Sequence, residues 1–134
     1  MDSSGEYGIK QKRNKGGVIL IEPDASVRDA LVILLRGEGW SVISLDHCEQ
    51  LSAALESETA VAVISESSLP DCTPQEILEL CNSNKIPVIF TGHELSLQGA
   101  VDLIRQGASD FLDKPFPQGR LLDLLNDMSS RQNA

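Results

Sequence analysis

No stretch of this chain approaches the roughly 20 apolar residues that a membrane-spanning helix needs. The first residues, MDSSGEYG, also lack the apolar core of a signal peptide. Both absences lead to the expectation of a cytoplasmic protein without membrane contact. Basic residues are scarce, 11 Lys and Arg against 20 Asp and Glu, for a net charge of -9. That balance speaks against a general nucleic-acid or anionic-lipid surface. Lys10, Lys12, Arg13 and Lys15 gather near the N-terminus, so any basic contact is confined to that segment. Cysteine is sparse as well. Cys48, Cys72 and Cys81 form an odd set without a second pair or a neighbouring His at zinc-ligand spacing. Three free thiols in a reducing compartment are expected. Neither G-x-G-x-x-G nor G-x-x-x-x-G-K-[ST] occurs. The turn Glu22-Pro23-Asp24 instead offers acids where a phosphate site needs glycines and free amides, which disfavours a nucleotide- or flavin-binding enzyme.

What the chain does contain is alternation. Its 134 residues fit one domain with a single core. Apolar runs at 18–21, 40–45, 60–65, 86–90 and 110–112 read as strands, and the first is continuous enough to be buried on both faces. Pro23 cannot supply a ladder hydrogen bond, so the first strand ends about there.

Helical spacing fills the intervals. Val27, Ala30, Leu31, Leu34 and Leu35 make one stripe, capped by Asp24 or Ser26. The run Asp46 to Glu49 has capping-box form and opens a helix with Cys48, Leu51 and Leu55 inward. Thr73-Pro74-Gln75-Glu76 starts a third helix that buries Ile77, Leu80 and Cys81. Leu97, Ala100, Val101 and Ile104 form a fourth stripe, and a last helix covers 118–128. Residues 1–16 read as a disordered arm, 17–129 as the domain, and 130–134 as a polar tail or the start of a linker. Strands alternating with helices imply an α/β, doubly wound parallel sheet.

In such sheets chemistry collects at the carboxyl ends of the strands. Glu22 ends the first, Glu66 the third, Thr91 the fourth and Lys114 the last. The segments VILIEPDASVRDAL, SLPD, IPVIFTGH and GASDFLDKPF carry a resemblance that spans residue 17 to about 128. The chain resembles the receiver domain of bacterial two-component response regulators. The resemblance implies a flavodoxin-like five-stranded sheet in the order 2-1-3-4-5. It also implies a phosphorelay in which a histidine kinase phosphorylates an Asp with the help of Mg²⁺. Carried onto this sequence, Glu66 stands at the phosphoacceptor position, Glu22 and Asp24 belong to the acidic pocket, and Thr91 is the hydroxyl. Phe111 is the aromatic switch, and Lys114 is the lysine of a cis Lys114-Pro115 bond.

Two departures fall on the chemistry. Glu66 replaces the acceptor Asp, and its extra methylene moves the attacking oxygen by about a bond length. A misplacement of ~1 Å costs about 10²-fold in rate. Pro23 stands where the second acid of the pocket belongs, and Mg²⁺ tolerates a poor ligand set badly. The expectation is an atypical receiver domain that signals through protein contacts and is not an enzyme. It would hold no cofactor, with Mg²⁺ only weakly bound by Glu22 and Glu66. The alternative is a conventional Mg²⁺-dependent receiver that controls a DNA-binding output, with Asp24, Ser65 or Ser67 taking the phosphoryl group. Expected partners are a histidine kinase or an output domain. A homodimer through the fourth helix, fifth strand and fifth helix is also expected, with Leu103, Leu122 and Leu124 set among Asp102, Arg105, Arg120 and Asp123; these leucines fall beside the inward stripes and either widen the core face or cover the partner.

Overall fold

Five strands and five helices alternate along the computed structural model, which describes residues 14–57, 59–93 and 97–132. The elements are β1 (Gly16–Ile21), α1 (Ala25–Gly37), β2 (Trp40–Leu45), α2 (Leu51–Ser57) after a 3₁₀ turn at Cys48–Gln50, and β3 (Ala60–Glu66). There follow α3 (Pro74–Ser83), β4 (Val88–Gly92), α4 (Leu97–Arg105), β5 (Asp110–Asp113) and α5 (Gln118–Gln132). All pairings are parallel, in the order β2-β1-β3-β4-β5. The expected architecture is therefore observed. The expected arm falls outside the described residues up to position 13, while Lys15 already donates its amide to the Gly39 carbonyl at 2.8 Å. No helix among the described residues is long and apolar enough to cross a membrane.

The continuous apolar run of β1 is explained by two cores. Ile19 and Ile21 face a cluster with Leu51, Leu55, Ile77, Cys81 and Leu103, under α2, α3 and α4. Val18 and Leu20 face the opposite cluster with Leu31, Leu35, Leu121, Leu125 and Met128, under α1 and α5. A central strand covered on both sides has no polar face to show. Its first residue, Gly16, has φ +124°, and a Cβ there would meet Val61 Cγ2 at 2.6 Å, so this entry into the sheet is closed to side chains.

Several sequence-based expectations need correction. The 3₁₀ turn that leads into α2 is capped at His47, one residue later than expected, and the His47 amide donates to Gln50 Oε1 at 3.3 Å. In α3 the buried residues are Ile77, Leu78 and Cys81, with Leu80 half-buried. The last helix continues past Met128 to Gln132. There Ser129 Oγ donates to the Lys15 carbonyl at 3.5 Å and Gln132 Nε2 to the Val61 carbonyl at 2.7 Å, so the polar end docks on the sheet instead of fraying. Cys48 and Cys72 are joined in a disulfide, and only Cys81 is a free, buried thiol.

The largest correction concerns α4. In the stripe Leu97, Ala100, Val101 and Ile104 the middle two are half-buried, but the two ends turn to solvent. Leu97 is 83% exposed and Ile104 43%, whereas Leu103 is 5% exposed and packs in the core. Periodicity identifies an apolar face without saying what covers it. Replacing Leu103 by Ala should therefore cost about 2–5 kcal/mol of stability in denaturant unfolding. Leu97→Ala should stay within about 0.5 kcal/mol of the parent; the reverse ranking would restore the sequence-based stripe.

Candidate functional site

Register brings the strand ends together. Ile21 pairs with Ser65, Glu66 with Thr91, and Thr91 with Leu112. The residue after β1, the last of β3, the fourth of β4 and the residue after β5 consequently share one rim. These are Glu22, Glu66, Thr91 and Lys114, brought together as the sequence suggested. Backbone bonds hold the loops in place: Glu22 N to Leu45 O at 3.0 Å, Ser67 N to Thr91 O at 2.8 Å, and Lys114 N to Gly92 O at 2.8 Å. The Lys114-Pro115 peptide is cis.

At the centre stands the Lys114 ammonium, which donates to Glu22 Oε1 and to Glu66 Oε1, each at 2.5 Å. The three side chains are 8%, 3% and 10% exposed respectively. Their other oxygens are also engaged. Glu22 Oε2 accepts from the Asp24 amide at 3.1 Å. Glu66 Oε2 accepts from the Ser68 amide at 3.0 Å and the Ser67 hydroxyl at 3.4 Å. Burial opposes the charge on Lys114, but its hydrogen bonds to Glu22 and Glu66 and their charges outweigh that, raising its pKa above the ordinary 10.5. The stability this shift brings is complete below that ordinary value and is lost only as pH rises through the raised one.

Asp24 is placed differently from the other acids. It is exposed and caps α1, accepting from the Ser26 and Val27 amides at 2.9 and 3.2 Å. Arg28 Nη1 donates to the Glu22 carbonyl at 2.8 Å and so binds α1 to the same turn. Thr91 is 1% exposed, and half-buried Phe111 sits beside Gly92. A Cβ on Gly92 would lie 2.5 Å from Ser67 Oγ and 3.4 Å from Glu66 Oε2 and Phe111 Cζ. Glycine at this position therefore lets β4 approach the loop after β3 closely. Ser65 is fully buried and donates its hydroxyl to the Glu66 carbonyl.

A cleft of about 390 Å³ opens over the site, lined by Glu22, Pro23, Asp24, Val27, Glu66, Ser68, His93 and Lys114. Sequence reasoning gave no site role to His93 or to the Ser68 amide. The signal for both was their place within two residues of a strand end. For a divalent cation the donor set is poor. Lys114 already lies between the two buried carboxylates, Pro23 offers none, and Asp24 is turned to its helix. Among the described residues no group of three His, Cys, Asp or Glu side chains is arranged to hold a metal ion.

Residues 18–126 match the family model described as the response regulator receiver domain. The chain is 32% identical over 114 residues to the transcriptional regulatory protein FixJ of Bradyrhizobium diazoefficiens, an alignment covering 83% of this chain and 55% of that protein. It is 38% identical over 109 residues to the C4-dicarboxylate transport transcriptional regulatory protein DctD of Pseudomonas aeruginosa, covering 79% and 23%. The chain thus spans about half the length of the first relative and less of the second. Among solved structures, the signal receiver domain of a LuxO repressor protein from Vibrio parahaemolyticus superposes with TM-score 0.79 at 25% identity, covering 87% of this chain and 91% of that one. Full-length FixJ from B. japonicum gives 0.79 at 29% identity, covering 89% and 59%.

Removing the ammonium would leave two buried carboxylates facing each other without compensation. Lys114→Met should lower stability by about 3–5 kcal/mol at neutral pH. Acidification should recover part of that loss, because protonating one carboxylate relieves the repulsion. Urea unfolding of parent and variant across acid to neutral pH checks this; a variant that gains nothing on acidification would rule out the bridging role.

Proposed function

The chain belongs to the response regulator receiver domain family, and we propose that it acts there as a pseudo-receiver. On this reading it signals by protein contact, with a fixed internal ion pair where relatives of the type keep a phosphorylatable site. The observation that carries the reading is the Lys114 ammonium bonded to both Glu22 and Glu66. The glutamate at the acceptor position uses one oxygen on that ammonium and the other on Ser68 and Ser67. Neither oxygen is free for in-line attack, and the added methylene displaces both from the place of an aspartate oxygen. Phosphoryl transfer relies on positioning and on metal ions that neutralise developing charge, and this pocket has one ammonium and a proline in place of a metal and its ligand. Glu66 serves as a permanent negative charge, with Thr91, Phe111 and Pro115 as the surrounding switch positions.

The conventional alternative finds less support. Asp24 is committed to the α1 cap, Ser65 is fully buried, and the Ser67 hydroxyl donates to Glu66 Oε2. The named relatives are transcriptional regulators longer than this chain. The corresponding role here is a cytoplasmic regulatory module that contacts a histidine kinase or a transcriptional output domain and does not bind DNA itself. The module includes Lys15, whose amide bonds the Gly39 carbonyl, and continues through α5 to Gln132, which docks on the Val61 carbonyl.

Incubation with Mg²⁺ and a small phosphodonor, read by intact mass, tests the proposal. The parent should gain no alkali-labile phosphate, and Glu66→Asp alone little or none. Pro23→Asp combined with Glu66→Asp should gain a measurable amount, reduced again by Lys114→Ala. Full labelling of the parent or of Glu66→Asp would overturn the reading.

The surface of α4, β5 and α5 is proposed as a dimer face, with a changed composition. Leu103 is in the core, and Leu122 and Leu124 are half-buried against the α1 and α5 side. The apolar contact comes instead from Leu97 and Ile104, near Arg105 and the exposed Arg120–Asp110 pair at 3.2 Å. Sedimentation should give a dimer that Ile104→Asp converts to monomer; a monomeric parent at high concentration would exclude this face.

A further inference from the structure

Cys48 and Cys72 are 24 positions apart in sequence, with Cα atoms 6.3 Å apart, in the range a disulfide requires. Topology is the cause. β2 and β3 both flank β1, so the loops that follow them leave the same rim about two strand spacings apart. Cys48 opens the turn before α2, and Cys72 ends the loop between β3 and α3. Both are half-buried and rest on the core beneath α2 and α3. A second tie lies beside them: the Glu49 amide donates to Asp71 Oδ2 at 3.2 Å. This bond ties the same two segments beside the sulfurs.

Three observations argue against a merely structural cross-link. A domain of this size with two filled cores does not need a disulfide to fold. The pair is accessible, since a surface groove of about 390 Å³ is lined by Cys48, Cys72, Glu76, Glu79, Leu80 and Ser83. The loop it pins begins just after Glu66 and carries the Ser67 hydroxyl and Ser68 amide that hold Glu66 Oε2. Cys81 differs in every respect: it is fully buried, and burial pushes its thiol up to about 12, which leaves it inert.

We propose that Cys48 and Cys72 form a reversible thiol–disulfide site that reacts with low-molecular-weight disulfides and sets the rigidity of the loop carrying the Glu66 contacts. In the forward step one thiolate attacks a disulfide RSSR, forming a mixed disulfide and releasing RS⁻. The second thiolate displaces the other RS⁻, so two protein thiols become one disulfide while RSSR becomes two RSH. The groove and its surroundings hold Glu49, Asp71, Glu76 and Glu79, and this acidic rim favours a cationic reagent over an anionic one. The site operates independently of whether any residue of the domain is phosphorylated.

The full chain is equilibrated with cystamine, which is cationic, or with oxidised glutathione, which is anionic, then denatured in excess maleimide and weighed. The fully reduced chain should carry three adducts and the oxidised chain one, on Cys81. Oxidation should raise Tm by about 10 °C and slow hydrogen exchange in residues 67–71. Cys48→Ser and Cys72→Ser should abolish the response, and Cys81→Ala should keep it. Cystamine should react several-fold faster than glutathione disulfide at low salt, with the gap closing as salt screens the rim. Three adducts after oxidation, or a response that survives in Cys72→Ser, would overturn the site. Unchanged exchange at 67–71 would overturn its action on the loop, and equal rates with the two reagents would overturn the acidic selection.

Discussion

The Lys114 ammonium lies between two carboxylates that come from different strands, and the rest of the rim is arranged so that it can. Glu22 is 92 positions away in sequence and Glu66 is 48. Bringing them within hydrogen-bond reach requires β1, β3, β4 and β5 to run parallel with their carboxyl ends level. The three side chains are nearly excluded from solvent. Burying such charges is costly unless each is paired and its remaining lone pairs are satisfied. Both conditions are met: the second oxygens of the glutamates take the Asp24 and Ser68 amides. The loops that supply those amides are thereby fixed by the same group.

A charge arrangement of this kind contributes more to conformation than to net stability. Apolar residues of the same volume would do as well energetically in many proteins. What they could not do is hold one excess negative charge at a strand end, close to Thr91 and to the Gly92–Ser67 approach. On the proposed reading, a glutamate clamped by lysine holds constant a charge that phosphorylation of a carboxylate would change on demand.

If the charge is constant, variation has to enter elsewhere, and the loop after β3 is where the structure offers it. One end of that loop is anchored on β4 through Ser67, and the other is tied to the start of α2 by Cys72 and Asp71. Opening the covalent tie leaves the core intact but frees one side of the frame around Glu66. On the far side of the sheet order, α4 turns an apolar edge outward. The domain therefore couples a rigid centre to two adjustable margins, one chemical and one available for contact.

Much of this was legible in the sequence. The continuous apolar runs required strands covered on both faces, their alternation with helical stripes required a parallel sheet, and the polar residues after strands 1, 3, 4 and 5 had to meet at its carboxyl rim. The departures at Pro23 and Glu66 were visible there too, as was the capping place of Asp24. Periodicity could not say which face of α4 meets the sheet, because Leu97 and Ile104 fit the stripe as well as any core residue does. Nor could spacing reveal the Cys48–Cys72 pair, since 24 intervening positions say nothing of distance until β2 and β3 are set on either side of β1. The docking of Ser129 and Gln132 was equally hidden, because their partners are backbone carbonyls that any sequence possesses. The sequence by itself determined the elements, their order and the chemical groups at the rim, for these follow from local pattern. Tertiary structure alone decided which of those groups touch, since contact depends on the register between strands and on which side of the sheet each crossover returns.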